Sequence, residues 1–178
     1  MAKTIDTLSL ARVRTADGEA PGFFVTPSNA LVTIGRIATS SFAAVRFRDN
    51  TTAEATRRAT DGIPDLAEYI VSVQVRAAIP IGTVKDVKAG DQVVIATLTD
   101  TGAVALQTSK VLEVVKESGR GLDLLRLDLP SPIDPKLDGS PVVSTATGKV
   151  VGVLNSTFGI GDARKFAVPI DYLPSLKQ

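Results

Sequence analysis

Short apolar runs broken by glycine, proline, aspartate and serine set the rhythm of this chain. The runs are rich in β-branched residues and fall at 8–14, 22–26, 30–33, 43–48, 70–75, 92–97, 104–108, 109–115, 122–127, 141–144, 150–157 and 165–168. The 43–48 run alternates cleanly, with Val45 and Phe47 on one face and Arg46 and Arg48 on the other, which is the period of a half-exposed antiparallel strand. Turn signals such as Ala16-Asp17-Gly18, Thr99-Asp100-Thr101-Gly102 and Ala146-Thr147-Gly148-Lys149 separate the runs at the spacing of sandwiches and barrels. Helical periodicity is weak. Its best candidate is a short C-terminal helix over 170–177, interrupted by Pro174. Many strands and almost no helix predict an all-β protein. The 178 residues suit one large sandwich or two small barrels, with a division near 75–85 where Ala78-Ile79-Pro80-Ile81-Gly82 breaks the pattern.

Composition then removes whole classes of chemistry. The chain has no histidine, no cysteine and no tryptophan. Without His there is no Ser-His-Asp hydrolase, no His-bearing zinc site and no imidazole proton shuttle. Without Cys there are no disulfides, thiolate nucleophiles or thiolate-held metals. A carboxylate-only Mg²⁺ or Ca²⁺ site stays chemically open, but no metal or cofactor is expected. Hydrophobic residues at 44% and charged residues at 22% are enough for a packed core. The net charge of +1 and the 4% aromatic content give no reason to expect nucleic acid or an anionic membrane as partner. No apolar run approaches the ~20 residues of a membrane span. The start, Met1-Ala2-Lys3-Thr4-Ile5-Asp6, lacks the apolar core of a secretory signal, so the chain reads as cytoplasmic.

Four stretches, in order and at the right spacing, resemble the chymotrypsin-fold serine proteases, in particular their bacterial HtrA-type (trypsin-like) branch. Gly22-Phe23-Phe24-Val25-Thr26 is similar to the strand before the catalytic His, and Leu31-Val32-Thr33-Ile34-Gly35-Arg36-Ile37-Ala38 to the segment that carries it. Ile79-Pro80-Ile81-Gly82 with Val87-Lys88-Ala89-Gly90-Asp91-Gln92-Val93-Val94 resembles the entry to the second barrel. Ile133-Asp134-Pro135-Lys136-Leu137-Asp138-Gly139-Ser140-Pro141 is similar to the segment bearing the nucleophilic Ser. Gly148-Lys149-Val150-Val151-Gly152-Val153 and Phe166-Ala167-Val168-Pro169-Ile170 follow it as in that family. The resemblance implies two antiparallel six-stranded β-barrels with a short C-terminal helix, divided into 1–78 and 79–178. By the same likeness, 51–56 is a segment between strands.

The departures lie at the catalytic positions. Arg36 stands where the resemblance places the general base, and Asp138 where it places the nucleophile; only Asp65, in Asp65-Leu66-Ala67, keeps the acidic role. A guanidinium stays protonated at any useful pH and cannot act as a base. One guanidinium can, however, bridge two carboxylates, so Arg36 between Asp65 and Asp138 would tie one barrel to the other. Residual hydrolysis through Asp138 and Asp65 is the alternative, and it needs the two carboxylates in contact without a cation between them. Lys136, Leu137, Asp138 and Gly139 replace the turn whose amides form the family's oxyanion hole, and Lys136 for Gly favours a collapsed hole. Asn155, Ser156, Thr157 and Phe158 align with the strand edge that the family offers to an extended peptide. Arg46/Arg48 and Arg57-Arg58 read as solvated faces, and the six phenylalanines as packing. The function so implied is non-catalytic, a pseudoprotease that binds protein or peptide or assembles with itself as a homo-oligomer or filament. A regulatory domain cut from a larger multidomain protein is the further alternative.

Overall fold

A computed structural model describes residues 5–177. Of the thirteen strands among these residues, twelve build two closed barrels. The first contains β1 (Leu10–Thr15), β2 (Gly18–Thr26), β3 (Leu31–Ile34), β4 (Phe42–Phe47), β5 (Thr52–Asp61) and β6 (Leu66–Val71). Their order is β1-β4-β5-β6-β3-β2, all antiparallel, and β2 returns to β1 to close the wall. A two-residue strand, β7 (Ile79–Pro80), runs parallel to the end of β2, and Ile81 bridges to Val150. The second barrel contains β8 (Gln92–Leu98), β9 (Val104–Glu117), β10 (Leu122–Leu127), β11 (Pro141–Ser144), β12 (Val150–Asn155) and β13 (Phe166–Pro169), closed in the order β10-β13-β12-β11-β8-β9.

The sequence pattern follows from which faces each strand buries. In β2 the run Gly22-Phe23-Phe24-Val25 is buried throughout, because Phe24 points into the first barrel while Phe23 and Val25 join the layer between the barrels. A strand buried on both faces carries a continuous apolar run. In β4 alternate residues meet solvent, and Ala43, Val45 and Phe47 face inward, with the Phe47 ring stacked on Phe24 at 5.7 Å between centroids. The second barrel has its own interior of Val93, Ile95, Val111, Leu125, Leu127 and Leu154. The layer between the barrels joins Leu10, Phe23 and Leu66 to Leu98, Leu124, Val153 and Phe158. At ~25 cal/mol per Å² of buried apolar surface, such a layer contributes to holding the barrels together independently of charge.

Several sequence expectations need correction. The C-terminal helix is two 3-10 turns, Ile170–Tyr172 and Pro174–Lys177, separated by Leu173, whose ψ of 133° is not helical. Pro174 has no N–H with which to continue a helical ladder. Residues 51–56 are not merely a connection: β5 occupies Thr52–Asp61, and its mainly polar side chains escape a search for apolar runs because only Ala55 is buried. The run at 70–75 is the end of β6, which begins at Leu66 and stops at Val71, the last residue paired with β5. The runs at 104–108 and 109–115 are one strand of 14 residues. Phe42 is 69% exposed and packs no core. Among the described residues no helix is long and apolar enough to cross a membrane.

Candidate functional site

The three positions singled out by the sequence converge where the barrels meet. β3 ends in a 3-10 turn, Gly35–Ile37, that carries Arg36. Gly35 packs against the backbone of Asp65 and Leu66, where an added Cβ would lie 3.1–3.2 Å from main-chain atoms, so the turn seats directly on the start of β6. Asp65 adopts a left-handed conformation, φ 57°, and its carbonyl accepts the Gly35 N–H at 2.9 Å. That uncommon backbone aims its carboxylate back at Arg36. The Arg36 amide donates to Asp65 Oδ1 at 2.7 Å and its Nε to Oδ2 at 3.1 Å. From the other barrel, Asp138 Oδ2 accepts from Arg36 Nη2 at 2.6 Å. One guanidinium therefore spans a carboxylate from each barrel.

The structure adds two residues to this cluster. Asn155, at the end of β12, donates from Nδ2 to Asp65 Oδ2 at 3.0 Å, and its Oδ1 accepts from Arg36 Nη2 at 3.4 Å. Ser156 donates its amide to Asp138 Oδ1 at 2.7 Å and its hydroxyl to Asp138 Oδ2 at 2.6 Å. Asp138 is fully buried while the Arg36 side chain is 36% exposed, so the cation forms the solvent face of the cluster and the carboxylate its floor. Burial pushes the Asp138 carboxyl above its ordinary value of 3.8, against the opposing pull of Ser156 and Arg36.

Compared with solved structures, the chain superposes on the HtrA-type protease AlgW with decapeptide at a TM-score of 0.74, with 15% identity over 93% of this chain and 62% of that one. It superposes on Deg5 at 0.73, with 19% identity over 93% of this chain and 85% of that one. The inactive form of the Rv3671c protease gives 0.70, with 21% identity over 92% and 84% of the two chains. The fold is that of the HtrA-type, chymotrypsin-like proteases. No protein-family model and no curated protein matches the sequence. The chain spans 62% of the length of AlgW in the first of these structures.

In this HtrA-type fold the turn 136–139 is a 3-10 turn, Pro135–Leu137, followed by an extended Asp138 and by Gly139 at φ 104°. The amides of residues 136–139, the turn to which the resemblance assigns the oxyanion hole, all have acceptors within the chain, Leu137 N donating to Asp134 O at 2.9 Å. Lys136 N donates to Asp134 Oδ1 at 3.0 Å and Asp138 N to Pro135 O at 3.2 Å. Gly139 N donates to Leu154 O at 3.0 Å, and a Cβ at Gly139 would lie 2.3 Å from Pro21 O, so only glycine lets the turn lie against the first barrel. Ser140 is buried, with its hydroxyl donating to Leu137 O at 2.6 Å and lying 2.7 Å from Thr97 Oγ1.

The segment 155–158 is turned inward rather than outward. β12 is paired on one side with β11 and on the other with β13, and Asn155 lies opposite Phe166. The Ser156 amide goes to Asp138, and the Thr157 amide and hydroxyl go to Asn155 Oδ1 at 2.9 and 2.6 Å. Asn155, Ser156 and Phe158 are buried; Thr157 alone of the four is exposed. The signal in the sequence for this inward role was the polar pair Asn155-Ser156 ending an otherwise apolar strand, since buried polar groups need partners. Among the described residues no group of three or more acidic side chains is placed to hold a metal ion.

Proposed function

We propose that this HtrA-type domain has no peptidase activity and acts by recognising a protein or peptide segment. The observation that carries this reading is Arg36, a permanent cation, bonded to Asp65 on one side and Asp138 on the other. Among the described residues no base is bonded to Asp138, whose oxygens are taken up by Arg36 and Ser156, and its full burial leaves no surface for attack on a substrate. The AlgW structures named with a decapeptide and a tripeptide show that a protein of this fold binds peptide, which supports recognition as the surviving role.

The test is turnover of casein, fluorogenic peptides and a nitrophenyl ester by the purified chain. Rates equal to those of Asp138→Asn are expected. Turnover that disappears in Asp138→Asn would sink the reading. The double variant Arg36→His, Asp138→Ser also stays silent, because the amides of residues 136–139 remain bonded to acceptors within the chain. Self-assembly is a second reading, favoured by two large exposed apolar side chains that are not members of the cluster, Phe42 at 69% and Leu106 at 61% exposure. A mass that rises with concentration in sedimentation, and falls back in Phe42→Ser or Leu106→Ser, would establish it.

A further inference from the structure

The cluster is bordered on one side by a contact that neither the triad nor the fold requires. The hairpin between β9 and β10 turns through Ser118, Gly119, Arg120 and Gly121, with Gly121 at φ 70°. The Glu117 carboxylate accepts the amides of Gly119 at 2.6 Å and Arg120 at 2.9 Å, which fixes the tip and directs Arg120 across to the first barrel. The guanidinium carbon lies 4.5 Å above the ring of Phe158 in the second barrel, and Nη1 donates to Ile63 O of the first barrel at 3.4 Å. Phe158 is two residues from Ser156, and Ile63 two residues from Asp65. Arg120 therefore joins the hairpin tip to both segments that frame the cluster.

This contact is built to open. Arg120 is exposed, one of its partners is a ring and the other a carbonyl at the long end of hydrogen-bond distance, and no carboxylate forms a salt bridge with it among the described residues. The other guanidinium here, Arg36, has two carboxylates. Beneath Arg120 lies the buried Phe158 ring, while Ile63, whose carbonyl Arg120 contacts, and Ile160, two residues along the chain from Phe158, are both left in solvent. Ile63 is 57% exposed, and Ile160 is 90% exposed between Gly159 and Gly161, both at positive φ. Gly159 is pinned, because a Cβ there would lie 2.6 Å from Ala163 O. Ile160 sits in a turn closed by the Ala163 amide, which donates to Ile160 O at 3.1 Å.

We propose that Arg120 is a gate over Phe158, opened by a partner segment that carries a carboxylate next to an aromatic or large aliphatic side chain. The carboxylate supplies the salt bridge Arg120 lacks and draws it off the ring. The apolar group then covers the Phe158 ring in place of the guanidinium. This inference rests on the recognition role proposed above, and it adds the chemistry of the partner and the residue that controls access.

The test uses the full chain and three terminally blocked, fluorescein-labelled hexapeptides that differ only at the centre: Asp-Phe, Asn-Phe and Asp-Ala. By fluorescence anisotropy, the Asp-Phe peptide binds at least about fivefold more tightly than either of the others, the size expected for one exposed charge pair or one aromatic contact. Arg120→Ala removes the advantage of Asp-Phe over Asn-Phe and strengthens Asn-Phe binding, since the ring is then uncovered. Arg120→Gln serves in its place if the alanine variant does not fold. Equal affinity of the wild type for Asp-Phe and Asn-Phe, persistence of the preference in Arg120→Ala, or failure of all three peptides to bind either protein would each overturn the gate. Peptide cleavage, followed by mass spectrometry in the same samples, would overturn the non-catalytic reading instead. The charge preference would still decide the gate.

Discussion

Asp138 and Glu68 are both fully buried carboxylates, yet they are held in opposite ways. Asp138 sits in the second barrel and meets a guanidinium from the first, together with the amide and hydroxyl of Ser156. Glu68 sits in β6 of the first barrel and receives the amide and hydroxyl of Ser175, at 2.9 and 2.7 Å, from the C-terminal turn that follows the second barrel. No cation forms a salt bridge with Glu68 among the described residues. Both contacts therefore staple one barrel to chain from the other side, one by charge and one by hydrogen bonds alone. The difference shows what the site at Arg36 adds. Hydrogen bonds suffice to bury a carboxylate in this fold, so the guanidinium is not required for burial as such. Its distinctive effect is to join two carboxylates, Asp65 and Asp138, across the junction.

That comparison breaks most sharply at Arg36. Arg36→Ala leaves Asp138 buried with Ser156 alone and removes the link to Asp65. Losing one partner of a buried pair costs several kcal/mol; with Arg36 about a third exposed, about 2–3 kcal/mol is expected from urea denaturation. Arg36→Lys recovers only part of this, because an ammonium cannot span two carboxylates with a planar fork. A loss below about 0.5 kcal/mol would mean that Ser156 alone holds Asp138, and the contrast with Glu68 would disappear.

Ser175→Ala tests the other staple and has the smaller effect. It removes the hydroxyl but keeps the amide, leaving one oxygen of Glu68 short of a donor at a cost of about 1–2 kcal/mol. The two losses should add to within about 0.5 kcal/mol in the double variant Arg36→Ala, Ser175→Ala, since the sites share no partner. Strong coupling between them would show that the barrels respond as one unit and that the two staples are not independent.

The ease of reading these two sites from the sequence differed for a physical reason. The barrels were legible because strands such as β2 and β4 write their burial into the order of apolar residues, and the positions of Arg36, Asp65 and Asp138 followed from flanking runs such as Gly139-Ser140-Pro141-Val142. β5 was not legible, since a strand with only Ala55 buried has no apolar period to find. Glu68 and Ser175 lie 107 residues apart, and neither residue type announces a partner. The segment 155–158 was legible as the end of a strand, but pattern alone cannot tell an edge that faces a ligand from one whose amides are used by Asp138 and Asn155. Long-range polar pairing leaves no periodicity behind.

The smallest expected effect is also the one that separates charge from hydrogen bonding most directly. Burial raises Asp138 above 3.8, so the folded chain holds its proton at a pH where the unfolded chain has released it. The stabilisation linked to that proton is complete below about 3.8 and is lost as pH rises through the raised native value. This is the reverse of a carboxylate whose native value is depressed, which gains stability over the same rise. Asp138→Asn removes the titration while leaving a side chain of the same shape, although its amide can satisfy only one of Arg36 and the Ser156 amide. The wild type should therefore exceed Asp138→Asn in stability by more near pH 4 than near pH 7, read from urea midpoints of the two proteins across that range. A gap that widens toward pH 7 would show that the Arg36 bridge outweighs burial and depresses Asp138 instead. Asp138 would then be an ordinary ion-paired carboxylate, and its difference from Glu68 would lie in the strength of the charge pair alone.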